Sequence, residues 1–151
     1  MYENYGLLIS GKWQSASDQE IISVVSPVTE QQIGTIPAAT REDIERTLVF
    51  CQQAGLEWRK TSAWSRAAIL RHTADLIRSR IDEIAKIMST ETGKPLIEAK
   101  AEAGASADQF EWYSEEGKRA YGQIIPSRLT GERLSVVYQP VGPCLALSAW
   151  N

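Results

Sequence analysis

Apolar residues change their spacing twice along the chain: short pieces up to residue 37, helical recurrence from Thr40 to Tyr121, and strand-like runs again beyond Gly122. In the first region Leu7 to Ser10, Ile21 to Ser26 and Gln32 to Ile36 read as strands. Gly11-Lys12, Ser26-Pro27 and Gly34 interrupt them at short intervals, which suits hairpins in an antiparallel layer better than crossover units.

Helical grammar starts at Thr40, whose hydroxyl can cap free backbone N–H groups while Glu42 and Asp43 set negative charge at the positive end of the helix dipole. Ile44, Leu48 and Cys51 share one face, and Arg59 with Lys60 supplies cations where the helix should end, near Trp58. A second helical run opens at Ser62 or Ser65 and carries Leu70, Ile77 and Ile84 seven apart, with Ile81 and Met88 beside them as a core-facing row. Ser79 followed by Asp82 offers an internal cap, so the run predicts two helices meeting near Arg80 and closed by Gly93. Pro95 suits the first turn of a third helix and Gly122 the left-handed position after its end, giving a span from about Pro95 to Tyr121.

That third helix has almost no side-chain bulk in its middle, where Ala99, Ala101, Ala103, Gly104, Ala105, Ser106 and Ala107 follow closely. Two readings fit: tight packing against a neighbouring element, or a wall past which a small molecule travels. Beyond Gly122, Ile124-Ile125-Pro126 and Leu134 to Tyr138 flank a polar turn at Thr130-Gly131 and read as strand. Cys144 to Leu147 is an apolar run without alternation, bounded by Gly142-Pro143 and by small polar residues, as in a central strand buried on both faces. In an open α/β sheet ligands gather beyond the carboxyl end of such a strand, where Ser148, Trp150 and Asn151 would stand.

Length and a 43% hydrophobic content suit one domain with a real core. The net charge of -3, from 16 basic and 19 acidic residues spread along the chain, provides no basic stripe for phosphates and speaks against nucleic acid as a partner. No apolar run approaches the ~18 residues of a membrane helix, and the N-terminus lacks the pattern of a secretory signal, so a cytoplasmic protein that does not enter a membrane is expected. Cys51 and Cys144 are expected as buried thiols in a reducing compartment.

Candidate chemistry is sparse. Cys144 and the only histidine, His72, could be imagined as nucleophile and base, but His72 sits between Arg71 and Thr73 with no orienting partner, and a surface histidine with a core cysteine is the plainer reading. Glu98 with Glu102, and Glu111 with Glu115, are carboxylates four apart that have Lys or Arg nearby and read as a solvated face. One histidine and two remote cysteines cannot make a metal site, and neither a P-loop nor a GxGxxG sequence occurs.

Five stretches, in order, carry a resemblance: Leu8-Ile-Ser-Gly-Lys-Trp13, Ser26-Pro-Val-Thr-Glu30, Glu91-Thr-Gly-Lys-Pro95, Glu111-Trp-Tyr-Ser-Glu-Glu-Gly-Lys-Arg119 with Tyr121-Gly122, and Gln139-Pro-Val-Gly142 leading through the apolar run to Ala149-Trp-Asn151. Together they resemble the N-terminal portion of NAD(P)-dependent aldehyde dehydrogenases, over nearly the whole chain, and the block from Glu111 is most similar to the succinate-semialdehyde branch. Ala149 departs from the family, which usually has proline before Trp-Asn.

The resemblance implies an α/β fold: short antiparallel strands, a helix cluster, a strand arm, then the first strand of a Rossmann-like parallel sheet. Residues 1–126 would form part of the cofactor-binding domain, 127–140 the arm of an oligomerisation domain, and 141–151 the first strand of the nucleotide-binding sheet. It also implies NAD or NADP as cofactor, a small-molecule aldehyde as substrate, and a homo-oligomer, dimer or tetramer, in the full-length protein. In the family's chemistry a thiolate adds to the aldehyde, hydride leaves for NAD(P), and water releases the acid. The family's cysteine nucleophile, glutamate base and pyrophosphate-cradling turn are expected downstream of residue 151, so the chain alone is expected to be inactive. Asn151 matches the oxyanion donor, a role typically worth ~3 to 4 kcal/mol. Leu147, Ser148, Ala149 and Trp150 match the cofactor-binding positions, and Ala105, Asp108 and Trp112, with Ala101, match a stripe near the aldehyde entrance. The competing expectation is a non-catalytic helical interaction module that keeps only the scaffold of such an enzyme.

Overall fold

The computed structural model describes residues 5–147. Two antiparallel hairpins come first: β1 (Leu7–Ile9) with β2 (Lys12–Gln14), and β3 (Ile21–Val25) with β4 (Gln32–Pro37). They form separate two-stranded sheets and not the single layer expected. The strand β2 was not anticipated: Ser10 and Gly11, both at positive φ, reverse the chain so tightly that Leu8 pairs with Trp13. Tyr5 packs edge-on against the Trp13 ring at 5.5 Å.

Four helices follow: α1 (Arg41–Lys60), α2 (Ala63–Ser79), α3 (Ile81–Thr92) and α4 (Leu96–Glu116). Thr40 caps α1 by a reciprocal box with Asp43, and Ser62 caps α2 by accepting from the Ser65 N–H at 3.1 Å. The break between α2 and α3 falls at Arg80 as expected, but Ser79 does not cap α3. Its hydroxyl donates back to the Leu76 carbonyl at 2.9 Å, and the helix is broken by the Arg80 backbone at φ −112, ψ 18.

Gly93 ends α3 in the left-handed conformation, φ 74, with its N–H on the Ser89 carbonyl. A Cβ there would stand 2.9 Å from Val28 Cγ2, so this turn also locks the end of α3 against the 26–31 loop of the second hairpin. Gly93→Ala is therefore expected to destabilise the chain by at least ~1 kcal/mol, since alanine meets both the φ penalty and the contact. An unchanged urea midpoint would contradict that account.

α4 packs on α2 and α3, and its small residues divide between two faces. Ala99, Ala103 and Ala107 are fully buried, as are Ala74 of α2 and Ala85 of α3, so the helices meet through methyl groups at close approach. Leu70, Ile77, Ile81, Ile84 and Met88 flank these contacts half-buried. Tight packing is thus the role of one face of α4, while Ala101 and Ala105 lie exposed on the other. The helix ends earlier than Tyr121 because N–H groups of Gly117, Lys118 and Arg119 close the last turns onto Tyr113, Glu115 and Glu116. Gly122 has a different task from capping: a Cβ there would lie 2.5 Å from the Val136 carbonyl oxygen across the next hairpin.

That hairpin joins β5 (Gln123–Pro126) to β6 (Arg133–Val136), with every residue of both strands exposed. Residues 139–147 are in neither helix nor strand. The central strand expected at Cys144–Leu147 is absent, and Leu145 and Leu147 are 84% and 87% exposed. A strand buried on both faces exists only between hydrogen-bonded neighbours, and none is paired with this segment among the described residues. Both thiols, expected buried, are exposed for related reasons. Cys51 lies on a stripe of α1 that no other element fully covers, and Cys144 lies in the unpaired segment. Among the described residues no helix is long and apolar enough to cross a membrane.

Candidate functional site

The residues matched to the aldehyde entrance stand together on the outward face of α4. Ala105, Asp108 and Trp112 succeed one another at helical spacing, and Trp112 is 63% exposed. Asp108 accepts from Arg78 Nη2 of α2 at 2.7 Å, and the same nitrogen reaches Glu111. Arg71 bridges Glu111 and Glu115, the latter also held by Lys118 at 2.7 Å. Donating to Asp108, and next to Glu111, raises the Arg78 pKa; Lys118, then Arg71, holds the Glu115 carboxyl below its ordinary range.

Of the members of these pairs, Arg71, Asp108, Glu111 and Glu115 line a groove of about 490 Å³ beside Trp112. They fix the face of α4 that carries Asp108 and Trp112 to α2, with every carboxylate engaged by a cation. None of them is poised as a general acid or base, so the face can shape a passage but not perform proton transfer.

A second cleft, also about 490 Å³, is apolar and runs between β1, the Ile44–Leu48–Cys51 stripe of α1 and the segment Pro143–Leu145. Leu147 follows two residues beyond the lining of this cleft; Ser148, Ala149, Trp150 and Asn151 lie outside the described residues. Among the described residues nothing forms a cradle for a dinucleotide pyrophosphate, and Leu147 is exposed in a segment without a sheet. The described residues therefore do not by themselves fit such a cofactor.

Beneath the cleft lies a feature that was read from sequence only as helix-end charge. Asp43 is 1% exposed, and its Oδ2 accepts from the Ser17 N–H at 3.1 Å, the Ser17 hydroxyl at 3.2 Å, the Thr40 N–H at 3.1 Å and the Thr40 hydroxyl at 2.9 Å. Its Oδ1 takes Arg46 Nη2 at 2.8 Å, and that nitrogen continues to Gln14 Oε1 at 3.2 Å. The spacing Thr40-x-x-Asp43 was the available signal, since a capping box places its second member over the cap.

Residues 13–151 match the aldehyde dehydrogenase family. The chain belongs to that family. Among curated aldehyde dehydrogenases similar to it, the NADP(+) succinate-semialdehyde dehydrogenase of Escherichia coli is 38% identical over 144 residues, covering 95% of this chain and 30% of the relative. Glutarate-semialdehyde dehydrogenase of Pseudomonas putida is 38% identical over 143 residues, with the same two coverages, 95% and 30%. The crystal structure of succinate-semialdehyde dehydrogenase from Burkholderia pseudomallei superposes with a TM-score of 0.85 at 39% identity, over 88% of this chain and 28% of that one. The chain thus spans 30% of the length of those two curated relatives, and its architecture is that of the N-terminal part of the aldehyde dehydrogenase fold. Members of the aldehyde dehydrogenase family are enzymes that use NAD or NADP. The structure also brings two of the stretches that carry the sequence resemblance into contact, where Gly93 meets Pro27 and Val28.

Proposed function

We propose that the chain is the N-terminal segment of an oxidoreductase that converts succinate semialdehyde, or a semialdehyde close to it, to the carboxylic acid with NAD(P)+. The observation that carries this reading is the 38% identity to succinate- and glutarate-semialdehyde dehydrogenases over nearly the whole chain. In this reading residues 1–126 belong to the cofactor-binding domain, 127–140 form the oligomerisation arm of a homo-oligomer, and 141–151 enter the nucleotide-binding sheet. The wholly exposed β5–β6 hairpin, with Ile124 80% exposed, supports the arm assignment.

Asn151 is assigned as oxyanion donor, because a side-chain NH₂ can donate to the oxygen that gains charge as a thiolate adds to the aldehyde carbonyl. Leu147, Ser148, Ala149 and Trp150 are assigned to the adenosine side of the cofactor site, and Ala105, Asp108 and Trp112 to the wall of the aldehyde passage. The anchoring of Asp108 by Arg78 supports a positioned wall in the last case. The protein is assigned to the cytoplasm.

The 151-residue chain alone is expected to show no aldehyde-dependent reduction of NAD+ or NADP+. Cys144 donates only to the Gly142 carbonyl at 3.5 Å, and among the described residues no hydrogen bond links His72 to either cysteine, so neither thiol has the base that activates a nucleophile. The nicotinamide absorbance of a mixture with succinate semialdehyde and each cofactor tests this. Turnover by the purified chain, lost on blocking its thiols, would contradict the assignment of the nucleophile to another part of the protein.

A further inference from the structure

Two rows of opposite charge face each other where α2 meets α4. Arg71 and Arg78 share one face of α2, and Asp108, Glu111 and Glu115 follow at helical spacing on the facing side of α4. Arg78 serves three carboxylates: its Nη2 donates to Asp108 Oδ1 at 2.7 Å and reaches Glu111 Oε2, and its Nη1 lies 4.0 Å from Asp75 Oδ1. Glu111 has a second cation in Arg71, whereas Asp108 forms an ion pair, among the described residues, with Arg78 alone. The Asp108 side chain is 72% exposed and that of Arg78 37%, and ion pairs so open to solvent contribute little to stability. What the pair does change is the charge on the outward face of α4. Asp108 lies one turn from Ala105 and one turn from Trp112, on the face assigned above to the aldehyde passage. An uncompensated carboxylate there would repel an aldehyde that is itself an anion and leave an uncharged aldehyde unaffected.

We propose that Arg78 is a specificity-determining residue acting through Asp108: by neutralising the Asp108 and Glu111 carboxylates it admits an aldehyde that carries a distal carboxylate along this face of α4. The inference rests on the semialdehyde reading and on the placing of Asp108 in the passage wall, and adds to them the residue that makes that wall tolerant of an anion. Arg78 suits the task on three counts. A guanidinium has no neutral form at working pH, and donating to Asp108 and next to Glu111 raises its pKa further. Its planar fork can hold two carboxylates at once, as it does here. It also stands in the last turn of α2, where the unpaired helix carbonyls favour a cation. Arg78 itself need not touch the substrate; it sets the charge of the residues that the substrate passes.

The test is the ratio of kcat/KM for succinate semialdehyde to that for butanal, measured on the longer polypeptide that joins this segment to a nucleophilic cysteine. Arg78→Gln is expected to lower the ratio about 3- to 10-fold at an ionic strength of about 0.01 M, through a higher KM for the semialdehyde, and by no more than about 2-fold at about 0.5 M, where exposed charges are screened. Arg78→Lys, which keeps the charge and loses the fork, should hold the ratio close to that of the parent. Arg78→Gln combined with Asp108→Asn should restore most of it, because the carboxylate left without a cation is gone. A merely structural role for Arg78 would lower kcat/KM equally for the two aldehydes at every salt concentration and would not be relieved by Asp108→Asn. Either of those results, or an unchanged ratio in Arg78→Gln, would overturn this inference and leave the semialdehyde reading standing. A parent that does not oxidise the semialdehyde would overturn both.

Discussion

Asn151→Ala, made in the longer polypeptide that joins this segment to a nucleophilic cysteine, is expected to lower the rate constant for acylation ~100- to 1000-fold, the loss typical of one oxyanion donor. Affinity for the cofactor should change little, because the proposed role of the amide is to act on charge that exists only once the thiolate has added. Asn151→Asp should be no better than alanine. It is close in shape but ionised near neutral pH, so it accepts where a donor is required and sets negative charge beside a developing alkoxide. Single-turnover measurement isolates the acylation step. A near-normal rate constant in the alanine variant would leave Asn151 as a turn residue.

Asp43→Ala is expected to have the largest effect on stability. Removing this carboxylate strips acceptors from Ser17, Thr40 and Arg46 at once and severs the polar junction that ties the first hairpin to α1. The loss should lower the thermal midpoint by about 5 to 10 °C. Asp43→Asn should not rescue it, since an NH₂ in place of Oδ2 would face the donors of Ser17 and Thr40. The same contacts, first the Ser17 N–H and then the Thr40 N–H, hold the Asp43 carboxyl down from 3.8 to about 2. A group whose folded pKa is depressed stabilises the fold above its unfolded value and loses that contribution as pH falls through the folded one. The stabilisation by Asp43 is therefore fully present above pH 3.8 and fades as pH drops toward about 2. In the alanine variant the difference in stability from the parent should shrink across that window. A difference that stays constant from neutral pH down to about 2 would contradict the assigned cause.

What the sequence revealed followed the range of the interactions concerned. Thr40, Ser62 and Gly93 act on groups within a few residues, and each is found where local chemistry put it. The break near Arg80 was legible as a place, but Ser79 bonds back to its own helix, so the mechanism of the break was not. Gly122 looked like a helix cap, yet its missing side chain answers to Val136, a strand partner that spacing along α4 could not reveal. The apolar run Cys144–Leu147 has the composition of a buried strand and, among the described residues, no paired neighbour that would make it one. Among candidate site residues, the α4 stripe was legible because helical periodicity alone puts Asp108 and Trp112 on one face. The anchoring of Asp108 to Arg78 depends on how α2 packs against α4, and the placing of Cys51 and Cys144 along one cleft depends on where the last segment lies.

The semialdehyde assignment is tested most directly by kcat/KM of that longer polypeptide for succinate semialdehyde against butanal, an uncharged aldehyde of the same carbon length, with NAD+ and NADP+ in turn. The account predicts oxidation of the semialdehyde with one of the two cofactors and a preference over butanal of at least ~10-fold, as expected where a site engages the distal carboxylate. Equal kcat/KM for the two aldehydes, or no oxidation of the semialdehyde with either cofactor, would contradict it.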